Sequence, residues 1–296
     1  MTQIAVLQSE PALLLLAAAL LGLVVGSFLN VVIHRLPLMM ERAFREEYAA
    51  FAGNAGEAAA PPEPEGGKLT LATPSSRCPH CGAAIAPWHN IPLLSYLWLR
   101  GRCAHCRAAI SAQYPMVELA SGVLALGVIW HFGATWAGLA ALGLTWALLA
   151  LAVIDLRHQV LPDAITLPVL WLGLFANLFG LFTTTRASLI GAIAGYLVLW
   201  AVYQVFKLVT GKEGMGYGDF KLLALLGAWL GWQALPVVII LSSAVGALVG
   251  IALIVSRRLH NGTPMPFGPF LAAAGWLALM WGPELIQAYA RFAGLS

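Results

Sequence analysis

Residues 12–33 form one apolar run without a charged side chain. A run of that length suits a bilayer, whose hydrocarbon layer takes roughly 20 apolar residues to cross about 30 Å. Further apolar stretches, bounded by polar or turn residues, lie near 115–131, 136–155, 164–182, 187–206, 220–231, 236–256 and 268–290. Only 10% of the chain is charged and 60% is hydrophobic, whereas about a quarter of a soluble domain is charged. The expected fold is an all-α polytopic membrane protein of about eight transmembrane helices. Gly231, Gln233 and Pro236 supply the turn that separates the sixth span from the seventh.

Residues 1–10 contain no Lys or Arg, and the first run is too long for a signal-peptide core, so it is expected to remain as a span. Eight spans with the first loop inside place Arg35, Arg42, Arg45, Lys68, Arg77, Arg100, Arg102, Arg107, Arg157, Lys207, Lys212, Lys221, Arg257 and Arg258 on the cytoplasmic side. Only Arg186 and Arg291 fall outside. A seven-span chain reverses Arg257 and Arg258, so the excess of cations in cytoplasmic loops selects eight, with both termini external. The formal charge of +3 is accounted for by this orientation. With no basic helix or stacking platform, no nucleic-acid partner is expected.

The chain divides into a first span at 1–33, a cytoplasmic insert at 34–114 and a seven-span membrane core at 115–296. Within the insert, Glu41–Phe51 suits a short surface helix. Residues 57–67 hold too much Pro, Gly and charge to pack a core and read as a linker. Their Glu57, Glu63 and Glu65 suit a solvated segment, with attraction of a basic peptide as the sharper alternative. Glycines recur four apart at Gly22 and Gly26, Gly191 and Gly195, Gly227 and Gly231, and Gly246 and Gly250, the spacing of close helix packing. No internal repeat of the transporter kind is visible.

All four cysteines fall in one pattern, Cys78-Pro-His-Cys81 and Cys103-Ala-His-Cys106, with 21 residues between the pairs. Two C-x-x-C turns complete the four-thiolate shell of a closed structural zinc site, here in a unit spanning 77–109. Disulfides require an oxidising compartment, which the orientation of the insert opposes. His80 and His105 are read as solvent-facing bystanders. Zinc saturated by four thiolates has no open position for water, so the metal is expected to hold shape and not to hydrolyse.

Ionisable groups at span ends are costly and ask for a reason. Asp155 ends the third span and Asp219 opens the sixth after Gly216-Tyr217-Gly218, at the same depth on the preferred topology. Brought within a few Å, two carboxyls share a proton, so that one activates water while the other stays protonated. That is acid–base hydrolysis without metal or nucleophile. The structural alternatives are an interfacial helix end for Asp155 and an N-terminal cap for Asp219. Asp163 reads as a cap of the fourth span. Gly214, Gly216 and Gly218 do not make a dinucleotide fingerprint.

Together these residues resemble the type IV prepilin peptidases. The resemblance rests on Gly26-Ser27-Phe28-Leu29-Asn30-Val31-Val32-Ile33-His34-Arg35-Leu36-Pro37, the paired C-x-x-C turns, Asp155 with Pro162-Asp163, Gly216-Tyr217-Gly218-Asp219, and Pro266-Phe267-Gly268-Pro269. It covers nearly the whole chain and implies a bacterial inner-membrane aspartic endopeptidase. Asp155 and Asp219 are then the catalytic pair, cutting basic leaders from prepilins and pseudopilins after a glycine at the cytoplasmic face.

The resemblance also implies N-methylation of the new N-terminal residue from S-adenosylmethionine, with Gly101 and Arg102 matching a Gly-basic pair associated with that activity. Arg157 departs from an acidic residue common in relatives and is expected to favour ionised Asp155. His158 is placed in a loop without a role. The rival reading is a proton- or cation-coupled transporter, whose sites normally lie near the bilayer midplane. A second is a non-catalytic zinc scaffold. The sequence fixes no oligomeric state.

Overall fold

The computed structural model describes residues 11–54, 69–256 and 265–294. The linker at 57–67, Lys68, Arg257 and Arg258 lie outside the described residues. The described elements are helices α1 (Pro11–Asn54), α2 (Leu94–Trp98), α3 (Gln113–Phe132), α4 (Trp136–His158), α5 (Asp163–Leu178), α6 (Thr185–Thr210), α7 (Tyr217–Leu230), α8 (Leu235–Val255) and α9 (Gly268–Phe292). Six of them, α1, α3, α4, α6, α8 and α9, are long and apolar enough to cross a membrane. With α5 and α7, which have 16 and 14 residues, they account for the eight apolar stretches of the sequence. The chain is a multi-pass, all-helical membrane protein.

Two compact units are distinguished, Leu16–Leu126 and the described residues of Gly127–Ser296 with the start of α1. In the first, α1 and α3 pack through glycine. A Cβ on Gly22 would lie 2.7 Å from the Ser121 carbonyl oxygen, and one on Gly26 would lie 2.8 Å from Glu118 Cα. The Ser121 hydroxyl donates to the Gly22 carbonyl at 2.5 Å, and the Asn30 amide donates to the Tyr114 carbonyl at 3.0 Å.

The separate surface helix expected at Glu41–Phe51 is instead the end of α1, which runs unbroken through Pro37. An interior proline removes one hydrogen bond but does not force a break where neighbours hold the helix. Arg35 provides such a hold, donating to the carbonyls of Thr70 at 2.9 Å and Pro74 at 2.6 Å.

In the second unit α7 is central. Every residue from Leu222 to Trp229 is buried, among contacts with α5, α6 and α9. A helix buried on all sides is apolar on all sides, and at about 21 Å α7 is shorter than the hydrocarbon layer. Gly191 of α6 and Gly227 of α7 meet backbone to backbone, while a Cβ on Gly195 would lie 2.6 Å from the Leu223 carbonyl oxygen. Gly246 and Gly250 differ, facing the side chains of Phe270 and Met265. The turn before α8 forms as expected, with Gly231 at φ +82° and a 3-10 turn at Trp232–Ala234.

Asn177 joins the far ends of α5, α6 and α7. Fully buried, it donates to the Ala228 and Trp229 carbonyls at 2.9 Å each and accepts from the Phe182 and Thr183 N–H groups at 3.0 Å each. The Ser188 hydroxyl also donates to the Ala228 carbonyl.

Candidate active site and candidate metal centre

Asp155 lies in the last turn of α4, 6% exposed, and its carbonyl accepts the N–H of Gln159, which ends the helix in a left-handed conformation. Residues 159–162 then lead to α5. Leu161 in this link fits against two glycines. A Cβ on Gly218 would stand 2.8 Å from Leu161 Cβ, and one on Gly268 would stand 3.3 Å from Leu161 Cδ1. The glycine before Asp219 and the glycine that opens α9 therefore close on the link that follows Asp155.

Gly268 does more than make room. Its N–H donates to Asp155 Oδ2 at 3.0 Å, and as one of the unsatisfied donors at a helix N-terminus it is available for that bond. Asp219 is 8% exposed and lies three residues after the N-cap Gly216, so the structural alternative of a cap at Asp219 does not hold and glycine takes that position. Its carboxyl accepts a backbone hydrogen bond from Gly216, and the charge of Asp155 acts on it. Helices α4 and α7 thus bring two buried carboxyls into electrostatic contact at one end of the second unit.

Neighbouring polar residues have other tasks. Asp163 is not the cap of α5, because Pro162 occupies that position and offers no side chain for it. Its carboxylate instead pairs with Lys221 Nζ at 2.6 and 2.8 Å, joining α5 to α7 one half-turn from Asp219. Arg157 is exposed, and residues two apart diverge around a helix, so it does not supply the cation expected beside Asp155. His158 belongs to α4 and not to a loop.

Pro266-Phe267-Gly268-Pro269 was visible as a pattern, but the bond of Gly268 to Asp155 was not. The signal available was Gly-Pro at the start of an apolar run, which marks a helix N-terminus with free N–H groups.

The cysteines form the second centre. The ligand atoms of Cys78, Cys81, Cys103 and Cys106 all lie within 4.8 Å of one another, and all four cysteines are free thiols. Cys78 Sγ and Cys106 Sγ are 3.8 Å apart, the edge of about 3.8 Å that a tetrahedron with Zn–S bonds of about 2.3 Å requires.

The two turns are built alike. Cys78 and Cys103 donate their N–H groups to the carbonyls of Ala83 and Ala108, at 2.9 and 2.8 Å. Antiparallel bridges Arg77–Ala84 and Arg102–Ala109 close each loop. The Cys81 and His80 N–H groups pull the Cys78 thiol down to about 6, and those of Cys106 and His105 lower Cys103 in the same way. At Cys106 the Ala108 N–H works in the lowering direction, but burial and the three neighbouring thiols prevail and push it up to about 11. Thiolates crowded in this way are what a dication satisfies, and the donor set fits zinc. His80 and His105 are exposed and stand outside the four-thiol group.

Gly101 sits at φ +67°, beneath Tyr96, whose hydroxyl would be 2.9 Å from an added Cβ. Its N–H donates to the Tyr96 carbonyl at 2.9 Å and its carbonyl accepts from Ile110 at 2.8 Å, while Arg102 is exposed.

An all-helical, multi-pass bundle with two buried carboxyls at the ends of its helices has the layout of a membrane aspartic peptidase. The model of the Bacterial Peptidase A24 N-terminal domain matches residues 20–132, and that of the Type IV leader peptidase family matches residues 142–251. The chain belongs to the type IV leader peptidase family, a family of aspartic peptidases.

A prepilin leader peptidase/N-methyltransferase of Stutzerimonas stutzeri is 55% identical over 295 residues, covering 100% of both chains. Proteins of the same description from Pseudomonas aeruginosa and Aeromonas hydrophila are 55% and 54% identical, over 98% and 91% of each chain. No solved structure matches the chain.

Proposed function

We propose that this chain removes the leaders of type IV prepilins and pseudopilins by cleavage after a glycine, with Asp155 and Asp219 as the acid–base pair, and then N-methylates the new terminus. The observation that carries the reading is the burial of both carboxyls together, with Gly268 N–H holding one oxygen of Asp155. One carboxylate takes a proton from water as the hydroxide oxygen adds to the scissile carbonyl, and the protonated partner gives its proton to the departing amine. Gly268 fixes the orientation of Asp155. The link at 159–162 and the start of α7 fix the spacing.

The setting suits a substrate with a basic leader and an apolar helix. Arg157, Lys207, Lys212 and Lys221 lie at the end of the unit that carries the carboxyls, whereas Arg186 begins α6 at the other end. Cation excess marks the cytoplasmic side, so the pair is assigned to the cytoplasmic face of the inner membrane, with the insert on that side.

Zinc, held by Cys78, Cys81, Cys103 and Cys106, supplies a crosslink between the two turns of the insert. S-adenosylmethionine supplies the methyl group for the second activity. Arg102 is assigned to its carboxylate, a group that an exposed guanidinium suits, and Gly101 shapes the turn that presents Arg102.

Leader removal from a tagged prepilin by Asp155→Asn and Asp219→Asn variants in membranes tests the hydrolytic pair. Processing is expected to fall to background in both, and unimpaired processing in both overturns the assignment. The mass of the processed terminus tests methylation: Arg102→Ala is expected to leave it cleaved but lighter by a methyl group.

A further inference from the structure

The first unit presents five large apolar side chains that stand largely exposed among the described residues. Trp88, Ile91, Leu94, Leu97 and Trp98 are 60, 45, 66, 70 and 76% exposed, all within twelve residues of the insert. A water-soluble loop does not carry such a group without an apolar partner. Exposed Arg100 follows two residues after Trp98.

The depth of this segment is set by a hydrogen bond. Leu93 N–H donates to Glu118 Oε2 at 2.8 Å, and Glu118, which also bonds the Ser27 hydroxyl, is the sixth residue of the membrane helix α3. At a rise of 1.5 Å per residue, Glu118 lies about 8 Å below the first residue of α3. With the start of α3 taken as the membrane surface, that depth corresponds to headgroups and upper acyl chains.

The tie also imposes an uncommon backbone. Leu93 has φ 58° and ψ −47°, and Leu94 N–H donates to the Pro92 carbonyl at 2.6 Å. This is the strained form of the γ-turn, which persists only where its surroundings hold it. It turns the Leu93 N–H toward Glu118 and starts α2, so that Leu94, Leu97 and Trp98 project away from the rest of the unit.

We propose that residues 88–98 form a membrane-docking platform of the insert, immersed in the anionic interfacial layer of the bilayer and anchored by the Glu118–Leu93 bond. Tryptophan and leucine enter the headgroup boundary, where an apolar body and a polar edge are both satisfied. Exposed Arg100 meets the lipid phosphates. The four-thiol module, which begins ten residues before Trp88 and resumes five after Trp98, is thereby held against the membrane surface.

The test uses the full chain in nanodiscs of zwitterionic and anionic lipid, with a dansyl-bearing amino acid installed at position 98 so that the four cysteines stay untouched. Shallow doxyl-labelled lipid is expected to quench roughly half of the emission, as for a residue buried at the headgroup boundary, while aqueous iodide quenches far less than it does the free dye. Strong iodide quenching without doxyl quenching overturns the proposal. So does insensitivity to both quenchers, which puts protein and not lipid over Trp98.

Omitting the anionic lipid is expected to weaken doxyl quenching, and an unchanged signal removes the role of Arg100. Glu118→Ala is expected to lower doxyl quenching and raise iodide quenching, whereas Glu118→Gln keeps an acceptor and the native response. An Ala variant indistinguishable from the parent overturns the anchor.

Discussion

Gly268, the first residue of α9, donates its N–H to Oδ2 of Asp155, 113 positions earlier in the chain and at the opposite polarity of helix end. A methyl at this glycine has no space, since its Cβ would stand 2.6 Å from the same oxygen. Gly268→Ala is therefore expected to displace the carboxyl and lower kcat for leader removal by on the order of 10²-fold, the effect of about 1 Å of misplacement at a reacting group. Steady-state cleavage of a prepilin peptide checks it, with a thermal melt to show that the bundle remains folded.

From a fully buried position Asn177 satisfies two carbonyls and two N–H groups. Replacing it by Ala orphans three of them, since the Ser188 hydroxyl still serves the Ala228 carbonyl. Each orphaned group costs about 1–3 kcal/mol, part of which relaxation recovers, so Asn177→Ala is expected to destabilise the second unit by about 2–4 kcal/mol. Unfolding in mixed micelles measures it. Cleavage by the fraction that remains folded should be preserved, because Asn177 is at the end of the helices remote from Asp155 and Asp219.

At the crossing of α6 and α7 the backbone of Gly191 touches that of Gly227, so neither position tolerates a side chain. Gly227→Ala is expected to cost about 1–3 kcal/mol by overpacking. Gly143→Ala in α4, where nothing lies within 4 Å of the added Cβ, is expected to be neutral or stabilising by up to about 1 kcal/mol through helix propensity. Melting temperatures of the pair compare the two directly.

The four thiols predict one zinc per chain. Cys78→Ser should abolish zinc retention, measured by elemental analysis of the purified protein, and open residues 69–112 to limited proteolysis, since binding energy in such modules is folding energy. Asp155→Asn should retain full zinc content, because the four-thiol group does not include this carboxyl.

How much of this was legible in the chain differs from residue to residue. The apolar runs announced the helices, because crossing hydrocarbon demands a length and a composition that leave few alternatives. The end of α1 did not show. Polar residues after His34 read as the end of a helix, yet the helix persists to Asn54, with Arg35 tied to the carbonyls of Thr70 and Pro74. Asp163 followed the rules of a cap, but Pro162 holds that position and Lys221, 58 residues away, claims the carboxylate. Local rules fail where a distant charge offers a better partner.

The sequence by itself determined that the chain is a multi-helix membrane protein, that its four thiols belong together, and that Asp155 and Asp219 stand at span ends. These follow from local chemistry, since hydrophobic length, C-x-x-C spacing and the cost of a carboxyl beside lipid are properties of short segments. Only the tertiary structure decided that Asp155 is held by Gly268, that Leu161 is clasped between two glycines, and that Glu118 takes the N–H of a strained Leu93. Each is a contact between segments remote in the chain, and such pairings are set by how whole helices pack, which no stretch of twenty residues records.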